Sequence, residues 1–243
     1  MIDRTVLFRR ALQSFLRFTA LVLITAAPAF ASKQDAVPDW VTAAAAQKLP
    51  AYPPETNAVV LLDDTTYTVA PDGRATEHYR HVVKILRPQG RDDALIFVPF
   101  DKDTKILSLH VWSIGPDGHQ YALKDNEIIE LGYPGQGNFF DDLKAKSASA
   151  PGRDPGGVIA YEYEQRSRPY LTEKTWFFQS DLPSLNQTFT LALPPGYTYS
   201  TVWAHHDQTK AIDLENQRWR WEMNNVPAID LHQVLLRPSE LSL

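Results

Sequence analysis

The chain reads as an all-β protein, an antiparallel two-sheet β-sandwich with a short N-terminal helix. Three observations predict this. Apolar and polar residues alternate with period two in Val158–Glu164, Thr188–Leu193 and Arg218–Met223, the pattern of strands that cover a core on one side. Two similar turn cues, Pro71-Asp72-Gly73-Arg74 and Pro116-Asp117-Gly118-His119, separate strand-like runs, with glycine free to take positive φ. About ten to twelve strands at short spacing favour stacked sheets over a helical or βαβ plan.

Residues 1–31 read as an export signal. Arg4, Arg9, Arg10 and Arg17 form a positive n-region, an apolar run spans Phe18 to Ala27, and Ala29-Phe30-Ala31 has the small–x–small form of a cleavage site. The run falls short of the roughly 20 residues of a membrane span. Arg9-Arg10 leaves both the Sec and the twin-arginine routes open, and with no cysteine after the run a lipoprotein anchor is excluded. Removing four arginines and Asp3 from 24 basic and 29 acidic residues leaves a net charge of −8, which disfavours anionic lipid surfaces. The expected location is periplasmic or secreted.

Residues 32–56 form a lead-in. Asp39 is placed to cap a short helix reaching Lys48, with Trp40 and Val41 as anchors and Pro50 ending it. Pro53-Pro54 then imposes an extended connector. Residues 57–230 form the sandwich and 231–243 a linker-like tail.

Within the sandwich, Ala58–Leu62 is a short apolar run, and Tyr67 and Val69 alternate with threonines. A long strand from Thr76 to Leu86 follows the first turn, with Tyr79, His81, Val83 and Ile85 on one face. Leu95–Phe100 and Ile106–Ile114 are further strands, and Tyr121 begins the return after the second turn. Residues 132–157 hold six glycines and three prolines and read as loop, with Phe139-Phe140 as an apolar foothold. Leu143–Ser149 reads as a short edge strand whose small residues and lysines blunt edge pairing. Further on, Ile159, Tyr161 and Tyr163 point inward, as do Phe189, Leu191 and Leu193, and then Trp219, Trp221 and Met223.

Composition narrows the chemistry. With no cysteine among 243 residues, thiolate metal sites, iron–sulfur clusters and a cysteine nucleophile are excluded. A pI near 5.8 gives no basic face for nucleic acid. There is no G-x-S-x-G elbow, phosphate-cradling glycine loop or H-E-x-x-H helix. On a strand, His205 and His206 point apart, as do His78 and His81, so neither pair makes a metal site. Glu162 and Glu164 share a face roughly 7 Å apart, a spacing compatible with inverting glycoside hydrolysis. Arg166 and Arg168 continue that parity, so an alternating charged face is the preferred reading. Asp101-Lys102-Asp103 reads as a turn rather than a calcium loop. Asn186-Gln187-Thr188 matches a glycosylation sequon but opens a predicted strand. Tyr197, Tyr199 and Trp203 share parity; a row of core aromatics is the preferred reading, and as the alternative they are the candidate binding aromatics, able to stack on sugar rings or line a peptide groove. No cofactor is expected.

Several segments in order carry a resemblance: Ala58–Asp63 (AVVLLD), the Pro71–Arg74 turn, Arg80–Leu86 (RHVVKIL), Gly90-Arg91 and Ile114–Gly118. Gly157–Glu164 (GVIAYEYE), Trp176–Gln179 (WFFQ) and Trp221–Ile229 complete it. Over about residues 38–232 the chain resembles the uncharacterised β-rich domain that precedes transglutaminase-like domains in exported bacterial proteins. The resemblance implies a β-sandwich-like accessory unit without known catalytic residues. The enzyme chemistry belongs to a following domain with a Cys-His-Asp constellation, which this chain lacks.

The expected function is therefore an exported, non-catalytic module that binds a protein partner or envelope polymer, with a transglutaminase-like domain as one such partner. Two alternatives stay open. One is an envelope glycan or peptide hydrolase with a loop-built site. The other is the severed N-terminal regulatory part of a transglutaminase-like enzyme.

Overall fold

The computed structural model describes residues 36–132, 143–168 and 173–229. The signal segment 1–31, Phe139-Phe140 and the tail 231–243 lie outside the described residues. One helix, α1 (Asp39–Ala45), precedes eleven strands among those residues. These are β1 (Ala58–Val69), β2 (Ala75–Ile85), β3 (Ile96–Phe100), β4 (Thr104–Ile114), β5 (Gln120–Ala122) and β6 (Ile129–Gly132). They continue as β7 (Lys144–Ala148), β8 (Val158–Ser167), β9 (Ser184–Ala192), β10 (Ile212–Asp213) and β11 (Arg218–Val226). Eight of them form one sheet, in the order β10-β11-β9-β1-β2-β8-β4-β5, and three form a second, in the order β3-β7-β6.

The small sheet lies across one face of the large one. Ile96, Val98 and Ala148 of the small sheet share a buried cluster with Val83, Ile85, Leu109, Val111 and Ile159 of the large sheet. On the opposite face, Val41 and Ala44 of α1 pack with Val59, Leu61, Val82, Trp112 and Val158. A third cluster, at Tyr67, Phe189 and Trp221, is covered by Trp176, Phe178 and Trp203. Full burial of a side chain such as Ile85, Ile96 or Ile159 contributes about 1.5–3 kcal/mol. These contacts draw the two sheets and the helix onto one another.

Four local expectations change. Pro38 occupies the cap position of α1, at φ −64°, and contributes no side-chain cap. Asp39 instead opens the first turn, where its charge suits the helix dipole, and the helix stops at Ala45 rather than Lys48. The run at 58–62 and the segment at Tyr67 are one strand of 12 residues. A bulge between Val60 and Leu62 interrupts its register, breaking the period-two signal as bulges do.

Lys144–Ala148 is the central strand of the small sheet, not an edge. It pairs with β3 on one side and β6 on the other, its Ala145 and Ala148 being buried while Lys144 meets Glu130 at 2.8 Å. Finally, β1 and β9 pair in parallel, whereas every other pair in the two sheets is antiparallel. Because β8 runs parallel to β1, reaching the far edge of β1 in the same direction requires a crossover. That connection carries Trp176 and Phe178 over the sheet face.

Candidate functional site

Strand register builds a polar strip inside this apolar face. Asp63, His81 and Tyr161 stand side by side on β1, β2 and β8; Thr65, Tyr79 and Tyr163 form the next row, and Tyr67, Glu77 and Gln165 the one after. The Tyr79 hydroxyl donates to Asp63 Oδ2 at 2.7 Å. His81 Nδ1 lies 3.2 Å from the same oxygen and 3.0 Å from the Tyr79 hydroxyl, so an Nδ1–H tautomer serves both. Tyr163 donates to Glu77 Oε1 at 2.7 Å. Glu77 also pairs with Lys174, whose ammonium lies 5.2 Å from the centre of the Tyr67 ring. Tyr79 sits 5.1 Å from Tyr163 and 5.7 Å from Tyr161, centroid to centroid.

Burial, followed by the neighbouring Tyr161 and Asp63, holds the Tyr79 phenol well above its ordinary range. Burial raises Tyr161 and Tyr163 as well. All three phenols are thus held in the neutral form near neutral pH, and Tyr79 and Tyr163 use it to donate to Asp63 and Glu77. The sequence reading noted His81 as a facing residue but missed its partner. The available signal was a carboxylate, Asp63, directly after the apolar run of β1. Tyr79→Phe removes one donor from a half-buried carboxylate and is expected to cost about 1–2 kcal/mol in urea unfolding. A loss within experimental error would mean that Asp63 is satisfied by other donors.

Across the sheet, Glu162 lies as expected on a charged face. His78 Nε2, 3.6 Å away, and the Arg80 guanidinium at 3.1 Å hold its carboxyl below the usual glutamate range. Arg80 in turn sits over the Trp40 ring at 5.2 Å. The depressed value means that Glu162 contributes stability above the unfolded glutamate pKa, lost as pH falls through the folded value. Glu162→Gln is therefore expected to flatten the acid limb of the stability profile below about pH 4.5. Thermal melts across pH 3–6 check this. An unchanged acid limb would remove the proposed coupling.

The remaining sequence candidates separate. Asp101 accepts the Asp103 amide at 2.9 Å, a turn contact. The Asn186 amide donates to Gln47 at 2.6 Å and to the Leu61 carbonyl at 3.0 Å, so it is engaged within the fold. His206 bonds the Asp207 carbonyl. No three-residue cluster of metal-binding side chains occurs among the described residues.

The candidate aromatics do not share a strand. Residues 193–211 carry no strand, because Pro194-Pro195-Gly196 turns the chain, with Gly196 at φ +87°. Trp203 stacks on Phe178 at 5.9 Å with planes 4° apart and belongs to the covered cluster. Tyr199 is 37% exposed and leans on Trp219 at 4.7 Å and Trp221 at 5.4 Å. Tyr197 is exposed. Of the three, Tyr199 alone lines a cleft of about 630 Å³, whose walls include Thr201, Gln208, Lys210 and Trp221.

No curated protein matches the chain in sequence. Its structure is similar to that of a provisionally named protease from Parabacteroides distasonis, at 17% identity and a TM-score of 0.58. That similarity covers 71% of this chain and 36% of the other, and it shows the fold. An aminopeptidase A from Legionella pneumophila aligns at 11% identity and a TM-score of 0.39, over 72% of this chain and 21% of its own. A zinc metallopeptidase of the M1 group from Deinococcus radiodurans gives 10% and 0.36, over 70% and 39%. The chain thus spans well under half of each of these proteins. The sequence profile of DUF3857, a domain of unknown function with a solved structure, matches residues 71–230, and with more than half of its length matched the chain belongs to that family.

Proposed function

We propose that the chain is an exported, non-catalytic accessory module that docks a partner domain of transglutaminase-like type. The observation that carries this reading is an apolar surface on the small sheet, where Ile129 is 53% and Leu131 42% exposed, with Leu95 also exposed. Exposed apolar side chains neighbouring one another in this way suit a contact surface. The groups with catalytic potential are instead engaged with one another, as at Asp63, His81 and Tyr79. The N-terminal export pattern supports an envelope location. The fold's occurrence as 36% of a longer chain provisionally named a protease supports an accessory role beside a second domain.

Calorimetric titration of the chain with a purified transglutaminase-like domain from the same envelope tests the reading. Saturable binding is expected, weakened by about tenfold or more in Ile129→Asp/Leu131→Asp, since tenfold is only 1.4 kcal/mol. Hydrolysis of cell-wall glycan or peptide by the isolated chain, lost in His81→Gln, would overturn it in favour of an enzyme.

A further inference from the structure

We propose that the cleft beside Tyr199 and Trp221 is a binding site for an acidic saccharide. The inference stands apart from the docking face on the small sheet, and either can fail alone. The cleft measures about 630 Å³, within the range of small-ligand sites.

Its wall has two kinds of surface. The Tyr199 ring is exposed yet braced by two indoles, Trp219 at 4.7 Å and Trp221 at 5.4 Å. Trp221 is itself fixed, its indole N–H donating to the Thr209 carbonyl at 3.2 Å. An aromatic face held in this way is a platform for the C–H face of a pyranose, with little rotamer freedom left to lose on binding.

Ser200, Thr201, Gln208 and Thr209 complete the polar lining, the Thr209 hydroxyl donating to the Asp207 carbonyl at 3.4 Å and keeping acceptor capacity for a ligand. Gln208 spends one amide hydrogen on Thr201 at 3.3 Å, which leaves its carbonyl oxygen and second hydrogen for a ligand. Hydroxyls and an amide match the vicinal hydroxyls of a sugar. Apart from the aromatic rings, the apolar part of the lining is Ala211, so it offers no aliphatic pocket for a peptide side chain. Favouring an acidic sugar over a neutral one, the formally charged lining residue among those described is Lys210, and no carboxylate lines the cleft. Asp213 lies near enough to add to the burial that raises the Tyr199 phenol, but it stands outside the wall.

Tryptophan fluorescence and amide NMR titrations with digalacturonate, its methyl ester and a tetra-aspartate peptide test this on the mature chain. Saturable binding of digalacturonate is expected, with weaker binding of the ester. Tyr199→Ala should weaken it by about tenfold or more, while Tyr199→Phe, which keeps the ring, should stay within about twofold of the parent. Lys210→Met should erase the preference for the acid over the ester. Four results would overturn the proposal: no saturable change with either sugar, equal binding of acid and ester by the parent chain, undiminished binding in Tyr199→Ala, or binding of the peptide without the sugar.

Discussion

Gly157→Ala is expected to lower the unfolding free energy by about 3 kcal/mol or more, beyond the usual range for an added methyl in a packed site. A Cβ at this position would stand 2.0 Å from the Gly152 carbonyl oxygen and 2.9 Å from that of Asp154. Both obstacles are backbone, so no rotamer change relieves them. The loop cannot withdraw cheaply either. Gly157 donates to the Asp154 carbonyl at 2.8 Å, while its own carbonyl accepts the Ile85 amide at 2.9 Å. Gly156 returns a bond to the Ile85 carbonyl at 2.8 Å. Moving the loop therefore strains the end of β2, where Ile85 is fully buried. Gly73→Ala supplies the control: Gly73 has φ +79° and open space around its missing Cβ, so it should cost only the conformational 1–2 kcal/mol or so. Urea unfolding with matched m-values separates the two. Equal losses would show that the loop relaxes and that the close approach is not tightly enforced.

Trp221→Ala is expected to cost about 3–5 kcal/mol, the range for truncating a buried large aromatic. Trp221 is buried, packs on Phe189 with centroids 6.0 Å apart, and holds Tyr199 and the Thr209 carbonyl. Its removal opens a void beneath the crossover segment that carries Trp176 and Phe178. Trp221→Phe keeps most of the apolar volume and forfeits the hydrogen bond, so about 1–2 kcal/mol should be lost. Near-ultraviolet circular dichroism should fall sharply in the alanine variant, because the aromatic stack loses its central ring. A near-native spectrum and midpoint for Trp221→Ala would mean that the third cluster contributes little to the fold.

The two variants probe features of unequal visibility in the sequence. That Trp219 and Trp221 face inward follows from their alternation with Arg218, Arg220 and Glu222, since successive strand residues point to opposite sides. The same rule places Tyr79, His81 and Tyr161 on an inner face. Turn chemistry recovers both Pro-Asp-Gly turns, where Gly73 and Gly118 take positive φ. The close approach at Gly157 left no such trace, because it arises from the way the connection between β7 and β8 folds back on itself and sets the Gly152 and Asp154 carbonyls against it.

Period two settles the face of a residue and is silent about its neighbour on the next strand. Asp63 meets His81 and Tyr79 because β1 and β2 pair in one register. Lys144–Ala148 became central because β3 and β6, remote from each other in sequence, both found its edges. Tyr197, Tyr199 and Trp203 were placed together by a strand parity that the Pro194-Pro195-Gly196 turn abolishes. The parallel β1–β9 pair likewise depends on where the crossover lands. By itself the sequence determined the all-β class, the inward faces and the turns, each a consequence of local backbone geometry and side-chain spacing. Strand partners, the polar strip and the cleft were decided by the tertiary structure, because pairing and burial act between residues that spacing along the chain does not connect.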